Sequence, residues 1–176
     1  GLASGKIIIS TAAIFYLASI YGEAHIRLLS LAILSASIGL FLLNFPIGRI
    51  FLGDTGAYSF GLLIGICLVT LKFKHPEISG WALLLIVCWP VTDTVHSMIR
   101  RRLSLKASDR PDMLHMHHII MRGIEIASHQ NFPRRFTNPL ATSIILPVAS
   151  IPVFLATIFT ENSQFLFIIT CLFSLI

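Results

Sequence analysis

Leu28-Leu29-Ser30-Leu31-Ala32-Ile33-Leu34-Ser35-Ala36-Ser37-Ile38-Gly39-Leu40-Phe41-Leu42-Leu43 contains no acidic or basic side chain, and its reading decides the fold. At about 1.5 Å of rise per residue, a helix of this length covers about 24 Å of a hydrocarbon core about 30 Å thick. Blocks of the same character recur at roughly 6–20, 56–71, 80–99, 138–160 and 165–176, with the charges gathered between them. A bilayer interior has no water to satisfy backbone N–H and C=O groups. The blocks also lack the alternating pattern of a barrel strand, so the spans are predicted to be helices. The expectation is an all-α, polytopic transmembrane bundle of about six helices, one domain across residues 1–176. Composition agrees: 55% of residues are hydrophobic, 12% are charged and the mean hydropathy is +0.84, far from a soluble domain.

The net charge of +5 raises nucleic-acid binding as a function class, but the placement of the charges argues against it. Eight of the 13 Lys and Arg (Arg100, Arg101, Arg102, Lys106, Arg110, Arg122, Arg134, Arg135) sit between the fourth and fifth blocks. Counting spans back and forth adds Lys6 and Arg49 to that side and leaves Arg27, Lys72 and Lys74 opposite. Positive charge marks the cytoplasmic side, so residues 1–5 and the loops at about 44–55 and 100–137 are predicted to face the cytoplasm. The arginine run itself reads as a topology signal and lipid-headgroup anchor. Cys67, Cys88 and Cys171 lie inside apolar blocks without metal or disulfide spacing, which makes them packing residues. The opening Gly1-Leu2-Ala3-Ser4-Gly5 carries no signal peptide and reads as the interior of a longer chain.

Three segments carry chemistry. The first is Asn44-Phe45-Pro46-Ile47-Gly48-Arg49-Ile50-Phe51-Leu52-Gly53-Asp54-Thr55-Gly56, which ends where the third helix begins. Glycines allow a ligand close to the backbone, a helix start offers N–H groups to an anion, and a carboxylate is a hard ligand for magnesium. The same pattern also fits Asp54 as an ordinary helix N-cap. The second is Asp109-Arg110-Pro111-Asp112-Met113-Leu114-His115-Met116-His117-His118, where clustered imidazoles can meet phosphate and sugar oxygens, lie in a solvated polar loop, or bind a transition metal, the last disfavoured for zinc by the lack of a nearby cysteine and of the usual wider ligand spacing. If this segment is helical, His115 and His118 stand one turn apart and are expected to share a substrate-facing surface, with His117 turned away. The third is Pro90, Asp93 and His96 in the lower half of the fourth span, where an ionisable residue at membrane depth is a functional suspect and where the helix is expected to leave the membrane as an amphipathic extension.

Together and in this order, these segments resemble the polyprenyl-phosphate N-acetylhexosamine-1-phosphate transferase family. Asn44 to Gly61 is similar to its N-F-P-x-x-K/R-I/V-F-x-G-D-x-G-S-x-x-x-G segment, Pro90 to Thr94 to P-V/L-x-D-T, and Pro111 to His118 to P-D-R-x-H-x-H-H. Gly1 to Gly5 resembles the end of a D-G-x-D-G-L-A-x-G motif. Ala57 departs from the family's Ser, Met113 replaces its Arg with Arg110 three residues upstream, and the family's Asp-Asp pair is absent from these 176 residues.

The resemblance implies transfer of a sugar 1-phosphate from a UDP-sugar to a polyprenyl phosphate with release of UMP, at the cytoplasmic face of the inner membrane, in cell-envelope polysaccharide synthesis. Position by position it implies Asp54 as the catalytic, metal-ligating carboxylate, for Mg²⁺ or alternatively Mn²⁺. It implies Asn44, Arg49, Gly53, Asp112, His115, His117 and His118 as substrate-binding residues, with Arg49 a diphosphate clamp. His115-Met116-His117-His118 followed by Met121-Arg122-Gly123 is similar to the N-acetylglucosamine branch. A homodimer is compatible with it. The competing readings are a catalytically incomplete membrane homologue and a transporter-like bundle whose polar groups line a pathway.

Overall fold

A computed structural model of the chain describes residues 1–103, 116–127 and 134–174. The described residues are helical, in the order α1 (Leu2–Ile20), α2 (Ala24–Asn44), α3 (Gly53–Lys74), α4 (Gly80–Ile86), α5 (Cys88–Leu103), α6 (Met116–Ala127), α7 (Arg134–Ile158) and α8 (Ser163–Ser174). Four of them are long and apolar enough to cross a membrane: α1, α2, α3 and the Phe136–Ile158 part of α7. The helical membrane bundle expected from the apolar blocks is therefore what forms.

Two of the six expected blocks are not straight full-length crossings. The block at 80–99 is a broken span, with α4 and α5 meeting at an angle of 79°. Proline explains the break. Pro90 has no N–H to return to the carbonyl of Ile86, four residues earlier, and that carbonyl instead accepts a hydrogen bond of 2.7 Å from the Ser10 hydroxyl of α1. A neighbouring helix thus satisfies the group that proline orphans, as a membrane interior requires. The last block forms α8, an apolar helix of 12 residues and shorter than a full crossing.

Two ends of the bundle have different characters. At the far end, the N-cap Ser79 of α4 accepts from Trp81 N at 3.2 Å, receives the Ser163 hydroxyl at 2.9 Å, and its own N–H reaches Thr160 O at 2.8 Å. Glu23, between α1 and α2, takes Lys74 Nζ at 2.6 Å and His75 Nε2 at 3.1 Å, while His75 Nδ1 meets Glu77 at 3.1 Å. These contacts join the start of α2 to the end of α3, and the start of α4 to the start of α8. The Lys74 hydrogen bond, helped by His75, holds the Glu23 carboxyl below its ordinary range.

The core between the ends is built on α1, whose Ile14, Leu17 and Ala18 are fully buried, against Leu71 of α3, Leu85 and Ile86 of α4, Ala156 of α7 and Leu166 of α8. α1 packs on α2 and α7, and α6 lies against α7. Gly5 permits the close α1–α7 approach, since a Cβ there would stand 2.6 Å from a Leu146 methyl carbon. Leu28, Leu42, Leu62, Val69, Phe73 and Phe154 point outward and form the apolar surface that lipid covers. Cys67 and Cys88 are buried packing residues, whereas Cys171 is exposed.

Candidate functional site

α2 stops because of the sequence after it. A residue before proline is pushed to extended backbone, and Phe45, preceding Pro46, has φ −104° and ψ 135°. The chain then turns through Gly48 at φ 74° and Gly53 at φ 65°, both in the left-handed region that glycine enters without strain. Asn44 is buried and clips this loop: its Nδ2 donates to Ile50 O, and its Oδ1 accepts from the Gly1 nitrogen. Its amide is thus engaged by backbone, and it shapes the site by holding Gly1 of α1's start against the 44–50 turn.

Asp54 follows in the first turn of α3. The N-cap of that helix is Leu52, and no side chain supplies a cap hydrogen bond. The capping role that the sequence left open for Asp54 is therefore not the one it plays. Its carboxylate is exposed and lines a hollow of about 300 Å³ together with Asn44, Gly53, Ala57 and Ser4. Arg49 is also exposed, on the turn leading to Gly53.

This hollow adjoins a larger cavity of about 780 Å³, the two sharing Gly1, Ala3, Leu52 and Ala57 as lining. The larger cavity has two poles. Lys6 of α1, Asp93 and Thr94 of α5, His117 of α6, and Asn138 and Thr142 of α7 give it a polar end near the helix starts. Ile7, Gly61, Ile64, Gly65, Leu68 and Val87 give it an apolar length. Ala57, Gly61, Ile64, Gly65 and Leu68 recur at the three- and four-residue spacing of one helix face. A Cβ built on Gly61 or Gly65 would meet nothing within 4 Å, so these glycines keep that face open. Leu68 lies 15 residues into α3, about 22 Å along its axis. A third hollow of about 450 Å³, lined by Asn44, Phe45, Gly48, Phe51, Phe136 and Asn138 among others, adjoins the polar end.

The structure thus brings Asn44, Gly53 and Asp54 to one hollow and His117 to the cavity beside it. Asp112 and His115 lie outside the described residues. The expectation that His117 turns away is corrected: His117, in the first turn of α6, lines the main cavity, and its ring lies tilted against that of His118 with centroids 3.9 Å apart. Asp93, singled out in the sequence without a role, faces the same cavity. Lys6, Asn138 and Thr142 were not foreseen as site residues. Lys6 carried a signal, being a basic residue inside an apolar block, but counted only as a topology charge.

Magnesium commonly binds through one or two carboxylates together with substrate phosphates and water. Among the described residues no cluster of three His, Cys, Asp or Glu side chains forms a cage of its own. An exposed carboxylate beside a hollow, as Asp54 is, fits the chemistry of an ion delivered with a phosphorylated substrate.

A family model described as glycosyl transferase family 4 matches residues 1–72, the stretch that holds α1, α2, the 44–52 turn and Asp54. The chain belongs to glycosyl transferase family 4. Similarity to curated members of this family runs further along the chain. It is 32% identical over 122 residues to a probable undecaprenyl-phosphate N-acetylglucosaminyl 1-phosphate transferase of Bacillus subtilis strain 168, covering 69% of this chain and 34% of that protein. It is 34% identical over 127 residues to the undecaprenyl-phosphate alpha-N-acetylglucosaminyl 1-phosphate transferase of Escherichia coli K12, covering 69% of this chain and 35% of that protein. A phospho-N-acetylmuramoyl-pentapeptide-transferase of Streptococcus thermophilus strain CNRZ 1066 is 30% identical over 100 residues, 57% of this chain and 28% of that protein. The chain spans about a third of the length of the first two of these family 4 relatives. No solved structure matches the chain with significance.

Proposed function

We propose that the full-length protein transfers N-acetylhexosamine 1-phosphate from a UDP-sugar to a polyprenyl phosphate and releases UMP, at the cytoplasmic face of the inner membrane. The observation that carries this reading is the two-poled cavity: a polar end beside the Asp54 hollow, continuous with an apolar length down one face of α3. An amphiphile with a charged head matches both poles, and a lipid phosphate is such a molecule. Two of the relatives named above are undecaprenyl-phosphate sugar 1-phosphate transferases by name, which agrees with that ligand.

In the proposed reaction an oxygen of the polyprenyl phosphate attacks the sugar-bearing β-phosphorus of the UDP-sugar. A new P–O bond forms, the bond from the β-phosphorus to the bridging oxygen breaks, and UMP leaves with that oxygen. Such transfers depend on positioning and on neutralising charge on the phosphoryl oxygens. Asp54 would hold Mg²⁺, which would neutralise charge on the diphosphate. Asn44 fixes the turn that brings Gly53 to the hollow, and Arg49, exposed on the same turn, would meet a diphosphate bidentately. His117 donates toward phosphate or sugar oxygens at the cavity's polar end.

The test uses the full-length protein purified in detergent with undecaprenyl phosphate, Mg²⁺ and UDP-N-acetylglucosamine labelled with ³²P at the β-position. The expected result is label in the organic phase and one UMP released per lipid product. Label that stays entirely in the aqueous phase with this donor and with other UDP-N-acetylhexosamines contradicts the proposal.

A further inference from the structure

Lys6 lies four residues into α1, and its side chain enters the cavity at the boundary where polar lining gives way to Ile7 and the apolar face of α3. A charged side chain at membrane depth is costly and persists where it meets a counter-charge, a polar cavity or a ligand. The Lys6 ammonium stands 5.4 Å from the centroid of the Trp89 ring, a cation–π contact that orients it without using its hydrogens. Asp93, across the cavity on α5, attracts it through space. Among the described residues no direct hydrogen bond or ion pair takes up its three donors. An oriented cation with unused donors, lining a cavity, is arranged to receive an anion.

We infer that Lys6 is a positioning residue that binds the phosphate of the lipid acceptor in this cavity. The inference rests on the transferase reading and assigns one end of its lipid substrate. The head of a polyprenyl phosphate is joined directly to its apolar chain, so the phosphate must lie where polar lining meets apolar lining, and Lys6 is the cation at that boundary. The nucleotide-sugar is water-soluble and approaches from the loop side, where Arg49 and Asp54 lie. The Trp89 ring orients the ammonium of this cavity-lining residue, so the phosphate arrives at a donor already oriented.

Two measurements on the full-length protein test this. In steady-state transfer assays, Lys6→Met is expected to raise KM for polyprenyl phosphate by about tenfold or more while changing KM for the UDP-sugar less than twofold, and Lys6→Arg is expected to restore most of the loss. An unchanged lipid KM in Lys6→Met, or a rise confined to the UDP-sugar, overturns the assignment. The second uses wild-type protein and needs neither a folded variant nor turnover. Reductive methylation of Lys6, read by mass spectrometry, is expected to slow in the presence of polyprenyl phosphate but not of the neutral polyprenol or of inorganic phosphate at the same concentration. Equal protection by the polyprenol would mean that the tail alone shields Lys6, protection by inorganic phosphate would mean a free-anion site, and no protection would remove the contact. Each of these refutes the inference. Absence of turnover in wild-type protein that still shows phosphate-dependent protection would instead count against the transferase reading.

Discussion

Replacing Asp54 by Asn separates chemistry from folding because of where the residue lies. The carboxylate is exposed, stands in the first turn of α3 and makes no capping hydrogen bond. Removing its charge therefore costs only the favourable interaction with the helix N-terminus, about 0.3–1 kcal/mol. A neutral amide of nearly the same shape leaves the hollow intact but is a weak magnesium ligand. Charge stabilisation by a bound metal is worth several kcal/mol in the transition state, and losing about 3 kcal/mol corresponds to a rate lower by about two orders of magnitude. The expected outcome is a variant of full-length protein that melts within a few degrees of wild type in detergent, yet transfers sugar phosphate about 100-fold more slowly at saturating Mg²⁺. Turnover within about threefold of wild type with unchanged Mg²⁺ dependence would refute the assigned role. A large loss of thermal stability would show that Asp54 holds the turn together instead.

Gly61→Leu is expected to leave the bundle folded, since its side chain would enter open space, but to raise KM for a long polyprenyl phosphate more than for a short-chain one; equal effects on both would show that the tail does not run along α3. At the far end, the depressed Glu23 carboxyl contributes stability that is complete above its ordinary value of 4.5 and is lost as pH falls through its lower folded value. The melting temperature of wild type should accordingly fall more than that of Glu23→Gln below about pH 4.5, and parallel acid limbs would contradict the linkage. In a background without native cysteines, cysteine at Glu161 should react with an impermeant reagent applied outside intact cells while cysteine at Arg49 does not, and the reverse pattern would invert the topology.

The spans were legible because a bilayer imposes one demand on every crossing segment, and α1, α2, α3 and α7 meet it with unbroken apolar sequence. The break between α4 and α5 was only half legible. Pro90 marks the region, but Leu83 to Val87 is apolar throughout, and the bend depends on Ser10 of another helix accepting the task of pairing with Ile86 O. At the site, Gly53-Asp54 could be placed at the start of α3 from local sequence, whereas the N-cap reading of Asp54 could be settled only by finding Leu52 at the N-cap. The facing of His117 was not legible from the spacing of the histidines on one helix, because which of them faces inward follows from how α6 lies on α7. Lys6 was legible as an oddity and not as a ligand, because its partners Trp89 and Asp93 are more than 80 residues away in sequence.

The meeting of lipid and nucleotide chemistry in the cavity between α1, α3, α5 and α7 is tested most directly by photo-crosslinking. A polyprenyl phosphate carrying a diazirine on an isoprene unit near its phosphate, irradiated with full-length protein and mapped by peptide mass spectrometry, should label the inner face of α3 at Gly61 to Leu68 and α1 at Ile7 to Ser10. Unmodified polyprenyl phosphate should compete for that labelling. Adducts confined to the outward residues Leu28, Leu42, Val69 and Phe154, and indifferent to competitor, would contradict the cavity as the lipid's binding site.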